Sequence, residues 1–228
     1  MGTLLVGSIA AGCASGPSIH ATGRQQTQTR TVSAASAVDL AASGELILTV
    51  GGSPSLQITA GRNVIDHLTS DVQEDRLTLG SDGSVHTLGR VRYDLVLPAP
   101  HVVELSGAGT VQVRAASALQ QVLLSGSGNL RVEGLSTDEL AVDLSGSGQV
   151  TIAGSTTRQR ISIGGSGRYS AGGLMSQDAE VTISGSGSAD VTASRTLAAT
   201  VSGNGAVTYS GDAVVTSSVT GHGAVTRR

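Results

Sequence analysis

A five-residue phrase recurs seven times between residues 105 and 223, and it limits what this chain can fold into more than any other feature. The copies begin at Leu105, Leu124, Leu144, Ile163, Ile183, Val201 and Val219, each followed by Ser-Gly-Ser-Gly or a close variant. The first glycines are Gly107, Gly126, Gly146, Gly165, Gly185, Gly203 and Gly221; the second are Gly109, Gly128, Gly148, Gly167, Gly187, Gly205 and Gly223. Subtracting successive first glycines gives intervals of 19, 20, 19, 20, 18 and 18. Units this short cannot hold a core of their own and must bury their apolar side against their neighbours.

Numbered from the first glycine, position −2 is aliphatic in every copy, and position −4 runs Val103, Val122, Val142, Ile161, Val181, Ala199, Ser217. Position +4 runs Val111, Leu130, Val150, Tyr169, Ala189, Val207, Val225; position +6 runs Val113, Val132, Ile152, Ala171, Val191, Tyr209, Arg227. Apolar residues at every second place on both sides of the phrase predict two short strands flanking a corner. The paired glycines mark that corner, through either a positive φ or a backbone approach too close for a Cβ. Position +1 varies among Ala, Ser, Asn and His and is expected to face solvent, with Asn204 and His222 standing out there. Position −1 is Ser or Thr in six copies and Gly164 in the other, which predicts a hydroxyl ladder along the stack.

Such a period suits an all-β, single-stranded parallel β-helix, a β-solenoid with about 18–20 residues per coil. A left-handed hexapeptide helix needs a strict coil of about 18 residues, which conflicts with the 19–20 spacing of the earlier copies. A calcium-binding nonapeptide roll needs an Asp in register after each glycine pair, and Asp190 and Asp212 stand isolated. The chain has no Phe, no Trp and three Tyr, so the core is expected to be aliphatic and rich in alanine. The last copy places Ser217 and Arg227 where earlier copies are apolar, as a terminal coil would.

Residues 32–104 show the same strand-and-turn grammar without a fixed period. Strands are expected at Leu46–Val50, Leu56–Thr59, Asp75–Leu79 and Val91–Leu97, the last ended by Pro98 and Pro100. Asn63 is placed to cap a helical turn carrying Val64, Ile65 and Leu68. Ser43-Gly44 reads as a degenerate copy of the phrase. The region is expected to form an irregular β cap over one end of the stack, whose strand edge would otherwise be bare. The expected division is thus a signal at 1–13, a flexible tether at 14–31, a cap at 32–104 and the solenoid at 105–228.

These features together resemble a bacterial family called putative auto-transporter adhesin, head GIN domain, a domain of unknown function. The resemblance rests on the Ser-Gly-Ser-Gly coils, the Val38-Asp-Leu40 strand with Ser43-Gly44, the strand before Pro98, and Gly203-Asn-Gly205-Ala-Val-Thr-Tyr209-Ser-Gly211. It covers about residues 32–226. It implies a right-handed parallel β-helix on an exported, often lipid-anchored protein, and it supplies no catalytic motif.

Residues 1–13, MGTLLVGSIAAGC, resemble a bacterial lipoprotein signal in which lipid is attached to Cys13 after cleavage. Ala10 stands where Leu is usual, and no basic residue precedes the short apolar run. A start placed upstream would account for the second departure. Residues 14–31 are polar and aperiodic, which reads as a tether.

Several activities are disfavoured by the residues. The net charge is −3 and the 14 basic residues are all arginine, scattered, so no nucleic-acid groove is expected. No copy of the phrase extends to a dinucleotide fingerprint, since the sixth place is never Gly. The repeated serines have no histidine at fixed spacing to activate them. His67, His86, His101 and His222 lack metal-ligand spacing; no metal and no cofactor is expected. Asp66, Asp71, Glu74 and Asp75 read as a solvated acidic cluster, and Arg158, Arg160 and Arg168 either as a small basic patch on one side or as charges that serve surface solubility. Of the outward carboxylates in the repeats, Asp143 holds position −3. The expectation is a non-enzymatic, envelope-anchored β-solenoid that binds a protein or glycan of the envelope, with self-association also open. The alternative is a carbohydrate-active or carbohydrate-binding β-helix.

Overall fold

The computed structural model describes residues 19–20, 24–82, 85–87 and 89–228. Cys13 and the signal reading lie outside the described residues. Each coil pairs in parallel with the next. On one face Val103 sits opposite Val122, then Val142, Ile161, Val181, Ala199 and Ser217 in succession. On the next face Val111 is followed by Leu130, Val150, Tyr169, Ala189, Val207 and Val225. We call the face before the glycine corner face 1 and the face after it face 2. A third side, irregular in register, carries the chain from face 2 back to face 1. The chain is therefore a β-solenoid, with the predicted repeat positions as its core columns.

Alternation along each strand places those columns inside, and like residues stack on like. Leu105, Leu124, Leu144, Ile163, Ile183 and Val201 are all buried. Volume is balanced between layers: Tyr169, the largest residue of its column, lies between Val150 and the small Ala189. Two of the three tyrosines, Tyr93 and Tyr169, are fully enclosed in this aliphatic interior. Fully burying one such aliphatic side chain contributes about 1.5–3 kcal/mol, and each column repeats that gain at most of its coils.

The stack continues beyond the repeats. Strands Ala37–Leu40 and Glu45–Val50 pair with Val102–Leu105 and Thr110–Arg114, so Leu40-Ala-Ala-Ser43-Gly44 occupies the place of the phrase. Arg76–Ser81 and Arg92–Leu97 pair in parallel on the far side of that layer, Leu77 beside Val38 and Tyr93 beside Leu46. Spatial order thus departs from chain order: layer 76–97, then layer 37–50, then the seven repeats. At about 4.8 Å per layer, nine layers make a shaft roughly 40 Å long.

Antiparallel strands close the first end. Ser55–Gly61 lies against Arg92–Leu97, Gln25–Arg30 against Ser55–Gly61, and Leu68–Gln73 against Arg76–Ser81. The tether expected over 14–31 is corrected at residues 25–30, which form the outermost strand. Its Arg30 donates to the backbone oxygens of Leu68 and Ile65, at 2.6 and 2.9 Å. Residues 19–20 also pair, with Val85–Thr87. QQTQTR has no apolar alternation because its inner side is polar: Arg30 and Gln28 face the same way as Leu56 and Ile58. Leu68–Gln73 carries a similarly weak signal, with Ser70 between Leu68 and Val72.

The expected helical turn is a single 3₁₀ turn, Ile65–His67, with Val64 rather than Asn63 at its N-cap. Val64, Ile65 and Leu68 are buried as anticipated. The acidic cluster is largely a hairpin turn: Glu74 and Asp75 both take positive φ, 47° and 64°, joining two antiparallel strands. Asp66 accepts a hydrogen bond from Gln28 instead of joining them.

The other end is less covered. Val214–Gly221 and Ala224–Arg227 each pair with a strand on one side. Val219, buried by analogy in earlier coils, is 43% exposed here. Arg227 reaches from the +6 column to Asp212 Oδ1 at 2.7 Å and to the Gly211 carbonyl at 2.9 Å.

Candidate functional site

The glycine pairs stand at the corner between faces 1 and 2, stacked coil on coil. In the first six copies the second members, such as Gly128, Gly148, Gly167 and Gly187, are buried, the first are half-buried, and the residues at −1 and +1 are exposed; in the last copy Gly223 is half-buried and Gly221 exposed. Close approach explains most of them. A Cβ on Gly126 or Gly146 would overlap the carbonyl oxygen of Gly107 or Gly126 below it, and one on Gly109 would lie 2.5 Å from the Gly44 oxygen. Gly203 and Gly221 alone of the fourteen also take a positive φ, 127° and 111°. The corner is a packing device, with its N–H and C=O groups consumed between coils: Ser188 N donates to Gly167 O at 3.0 Å and Gln149 N to Gly128 O at 3.0 Å. Asn204 and His222 project to solvent at +1 as expected.

The serines at −1 line up on the exterior of face 1. Ser106 Oγ donates to both oxygens of Asp39, at 2.8 and 3.0 Å. Among the described residues the repeated serines make no side-chain bond to one another, so beyond Ser106 the predicted ladder is a row of hydroxyls open to solvent.

The basic patch expected at Arg158, Arg160 and Arg168 is not formed. Parallel register sets an acid one coil away from two of the three: Arg158 pairs with Glu139 at 2.9 Å and Arg160 with Glu180 at 2.9 Å. Arg168 begins a strand on face 2, opposite Gln149. Asp178 continues the alternation. It accepts from Arg195 and from Thr196 Oγ1, the latter at 2.6 Å, and these bonds hold its carboxyl below the usual range. Asp143 stands exposed between Leu123 and Ser162. Face 1 thus carries a ladder of charges of which most are paired across coils, with Asp143 left exposed. Single-sequence reading misses this, because each partner lies a whole coil away in the chain.

Face 2 presents mostly Thr, Gln, Asn and Ser outward: Thr110, Gln112, Asn129, Gln149, Thr151, Ser170, Ser188 and Thr208 follow one another over the coils. Two of its ion pairs are lateral, Arg92–Asp94 and Arg131–Glu133, and Asp190 reaches across coils to Arg228 at 2.9 Å.

Polar groups also enter the core on the third side. Tyr169 Oη donates to Gln159 Oε1 at 3.0 Å, Gln159 Nε2 donates to Ser176 Oγ at 2.8 Å, and Ser176 Oγ donates to the Thr192 carbonyl at 2.7 Å. Burial raises the Tyr169 pKa, so the phenol stays protonated and donates. Burial likewise pushes Tyr93 up to about 12. Outside this network lies an open groove of about 590 Å³, between His101, Ser117 and Gln120 at one end and Gln177 at the other. No repeated motif predicts it, since its residues differ from coil to coil.

His101 Nδ1 lies 2.9 Å from the Ala118 carbonyl and His67 Nδ1 2.8 Å from Asp82. No group of three or more His, Cys, Asp or Glu among the described residues could hold a metal ion. No helix among them is long and apolar enough to cross a membrane.

Comparison with solved structures finds the same architecture. A "putative adhesin" from Bacteroides fragilis matches with a TM-score of 0.85 at 23% identity, over 92% of this chain and 100% of that one. A "putative lipid binding protein" from Parabacteroides distasonis matches at 0.76 and 20% identity, over 93% and 100%. A "putative adhesin" from Parabacteroides merdae matches at 0.69 and 23%, over 92% and 98%. At these identities the likeness is one of fold. No match was found among curated proteins. The family model for "Putative auto-transporter adhesin, head GIN domain" matches residues 12–213, and the chain belongs to that family.

Proposed function

We propose that this protein is a non-catalytic, adhesin-like binding shaft, held to a bacterial envelope by lipid on Cys13 and meeting a protein or glycan of that envelope through a lateral surface. The observation that carries the reading is the exterior of the stack. Coil upon coil, it offers flat polar faces whose outward side chains recur about every 4.8 Å, while most charges on face 1 pair with an opposite charge one coil away. Such a surface suits extended contact. The family's adhesin description and its exported character agree with it.

Two experiments test the reading. The purified chain should be retained by immobilised envelope material without turning over glycans or esters; measurable turnover would overturn the non-catalytic assignment. In cells, Cys13→Ser should move the protein from the membrane fraction to the soluble fraction. A variant that still sediments with membranes would remove the lipid anchor.

A further inference from the structure

We infer that the groove on the third side is a binding site for a neutral, extended polyhydroxylated chain, that is, a linear glycan lying along the shaft axis. This rests on reading the shaft as a binding structure, and it names the surface and the ligand class.

The groove is built in rungs. Ser136 pairs with Ser155, and Thr137 with Thr156 and then Ser176, so Asp138, Thr157 and Gln177 come one above another on successive coils. The rungs are about 4.8 Å apart, close to the length of one pyranose residue in an extended chain. Ser117 and Gln120 add a further rung from the coil below.

Its floor is fixed. Thr156 is 7% exposed, and its hydroxyl donates to the carbonyls of Asp138 and Arg158, at 3.2 and 3.1 Å. Ser176 and the fully buried Gln159 are hydrogen-bonded behind it. The walls are unspent. Among the described residues, Gln120, Ser136, Asp138, Ser155, Thr157 and Gln177 make no side-chain hydrogen bond, although all are exposed and line the groove. Face 1 behaves oppositely, most of its charged rungs being taken up by one another.

These groups select the ligand by chemistry. Hydroxyls, amides and one carboxylate match the donors and acceptors of sugar hydroxyls. No arginine lines the groove, and Asp138 repels anions, which disfavours phosphodiesters and uronic acids. The volume lies in the range of ligand sites, about 300–1,000 Å³. No tyrosine, phenylalanine or tryptophan lines it, and the one ring, the His101 imidazole at its end, is tied to the Ala118 carbonyl at 2.9 Å, so contact is mainly by hydrogen bonds. A single site is then weak, with Kd in the millimolar range, and strength comes from many shafts on one surface.

The test is an NMR titration of the chain with cellohexaose and maltohexaose, with hexagalacturonate as the charged counterpart. At least one neutral hexasaccharide should shift the amides of residues 117–120, 136–138, 155–157 and 177. The Kd should be insensitive to added salt. Asp138→Ala with Gln177→Ala should weaken it about tenfold, as expected for two or three lost hydrogen bonds, while the melting temperature stays at the wild-type value. The inference is overturned if neither neutral probe shifts these amides, if hexagalacturonate alone binds, or if the double variant binds equally well. Shifts mapping to face 2 would remove the groove and leave the adhesin-like reading standing. Cleavage of the probes would remove that reading itself.

Discussion

Replacing Gly187 by alanine isolates what the corner glycines do. Gly187 has no positive φ, so alanine meets no backbone penalty there, and its cost is one of space. The added Cβ would sit 2.5 Å from Ile163 Cγ2 and 2.7 Å from the Gly167 carbonyl oxygen. Ordinary contact begins near 3.4 Å, so the upper coil must lift by 0.7 to 0.9 Å, the differences 3.4 − 2.7 and 3.4 − 2.5. That lift stretches the 3.0 Å bond from Ser188 N to Gly167 O past hydrogen-bonding range. Overpacking costs about 1–3 kcal/mol, and losing one buried backbone bond about 1–3 kcal/mol more. The sum is about 2–6 kcal/mol. For a chain of this length each kcal/mol lowers Tm by roughly 2–4 °C, so a fall of roughly 4–24 °C is expected. Gly164→Ala is the matched control, because its Cβ finds one neighbour, Ser184 Oγ, at 3.9 Å. It should melt within about 2 °C of wild type. Thermal unfolding followed by circular dichroism reads both. Equal melting temperatures for the two variants would refute close approach as the reason for the glycines.

Two further variants probe the charges. Asp178 has a folded pKa below its unfolded value of about 3.9, so its bonds to Arg195 and Thr196 stabilise the fold above that value and are lost as pH falls through the folded pKa. Asp178→Asn should therefore lower the urea midpoint at pH 6, with the gap to wild type closing towards pH 2; an equal gap at both pH values would refute the linkage. Arg227 puts a charge into a core column at the open end, an arrangement that discourages edge-to-edge pairing. Arg227→Val with Ser217→Val should shift the protein towards larger species with rising concentration in sedimentation equilibrium, and an unchanged mass would show that the end is guarded by something else.

The repeat region is legible because each of its columns is sampled many times in one chain. Tyr169 and Ala171 are assigned inward from position alone, and both are buried. The cap is harder, because its order in space is not its order in sequence. Nothing local in Ala37–Leu40 says that its two neighbours are Arg76–Ser81 and Val102–Leu105. Gln25–Arg30 carries no apolar alternation, since the cap's inner surface there is polar and is satisfied by Arg30. The paired charges and the groove depend on which residues meet across coils of unequal length. A slip in register on the third side would pair different side chains.

The position of layer 37–50, with later segments on both of its sides, also sets a direction for assembly. Pairing Ala37 with Arg76 closes a loop about twice as long as the one closed by any later coil, since 76 − 37 is 39 and the repeat intervals are 18–20. By loop-closure entropy that step costs about 0.6 kcal/mol more than any coil that follows. The slow event is therefore the closing of the cap itself, and the first repeat and each later coil add to a template already in place. Because the amino-terminal segments leave the ribosome first, the shaft can lengthen at its growing end as it is translated, one corner at a time, without waiting for the chain to be complete.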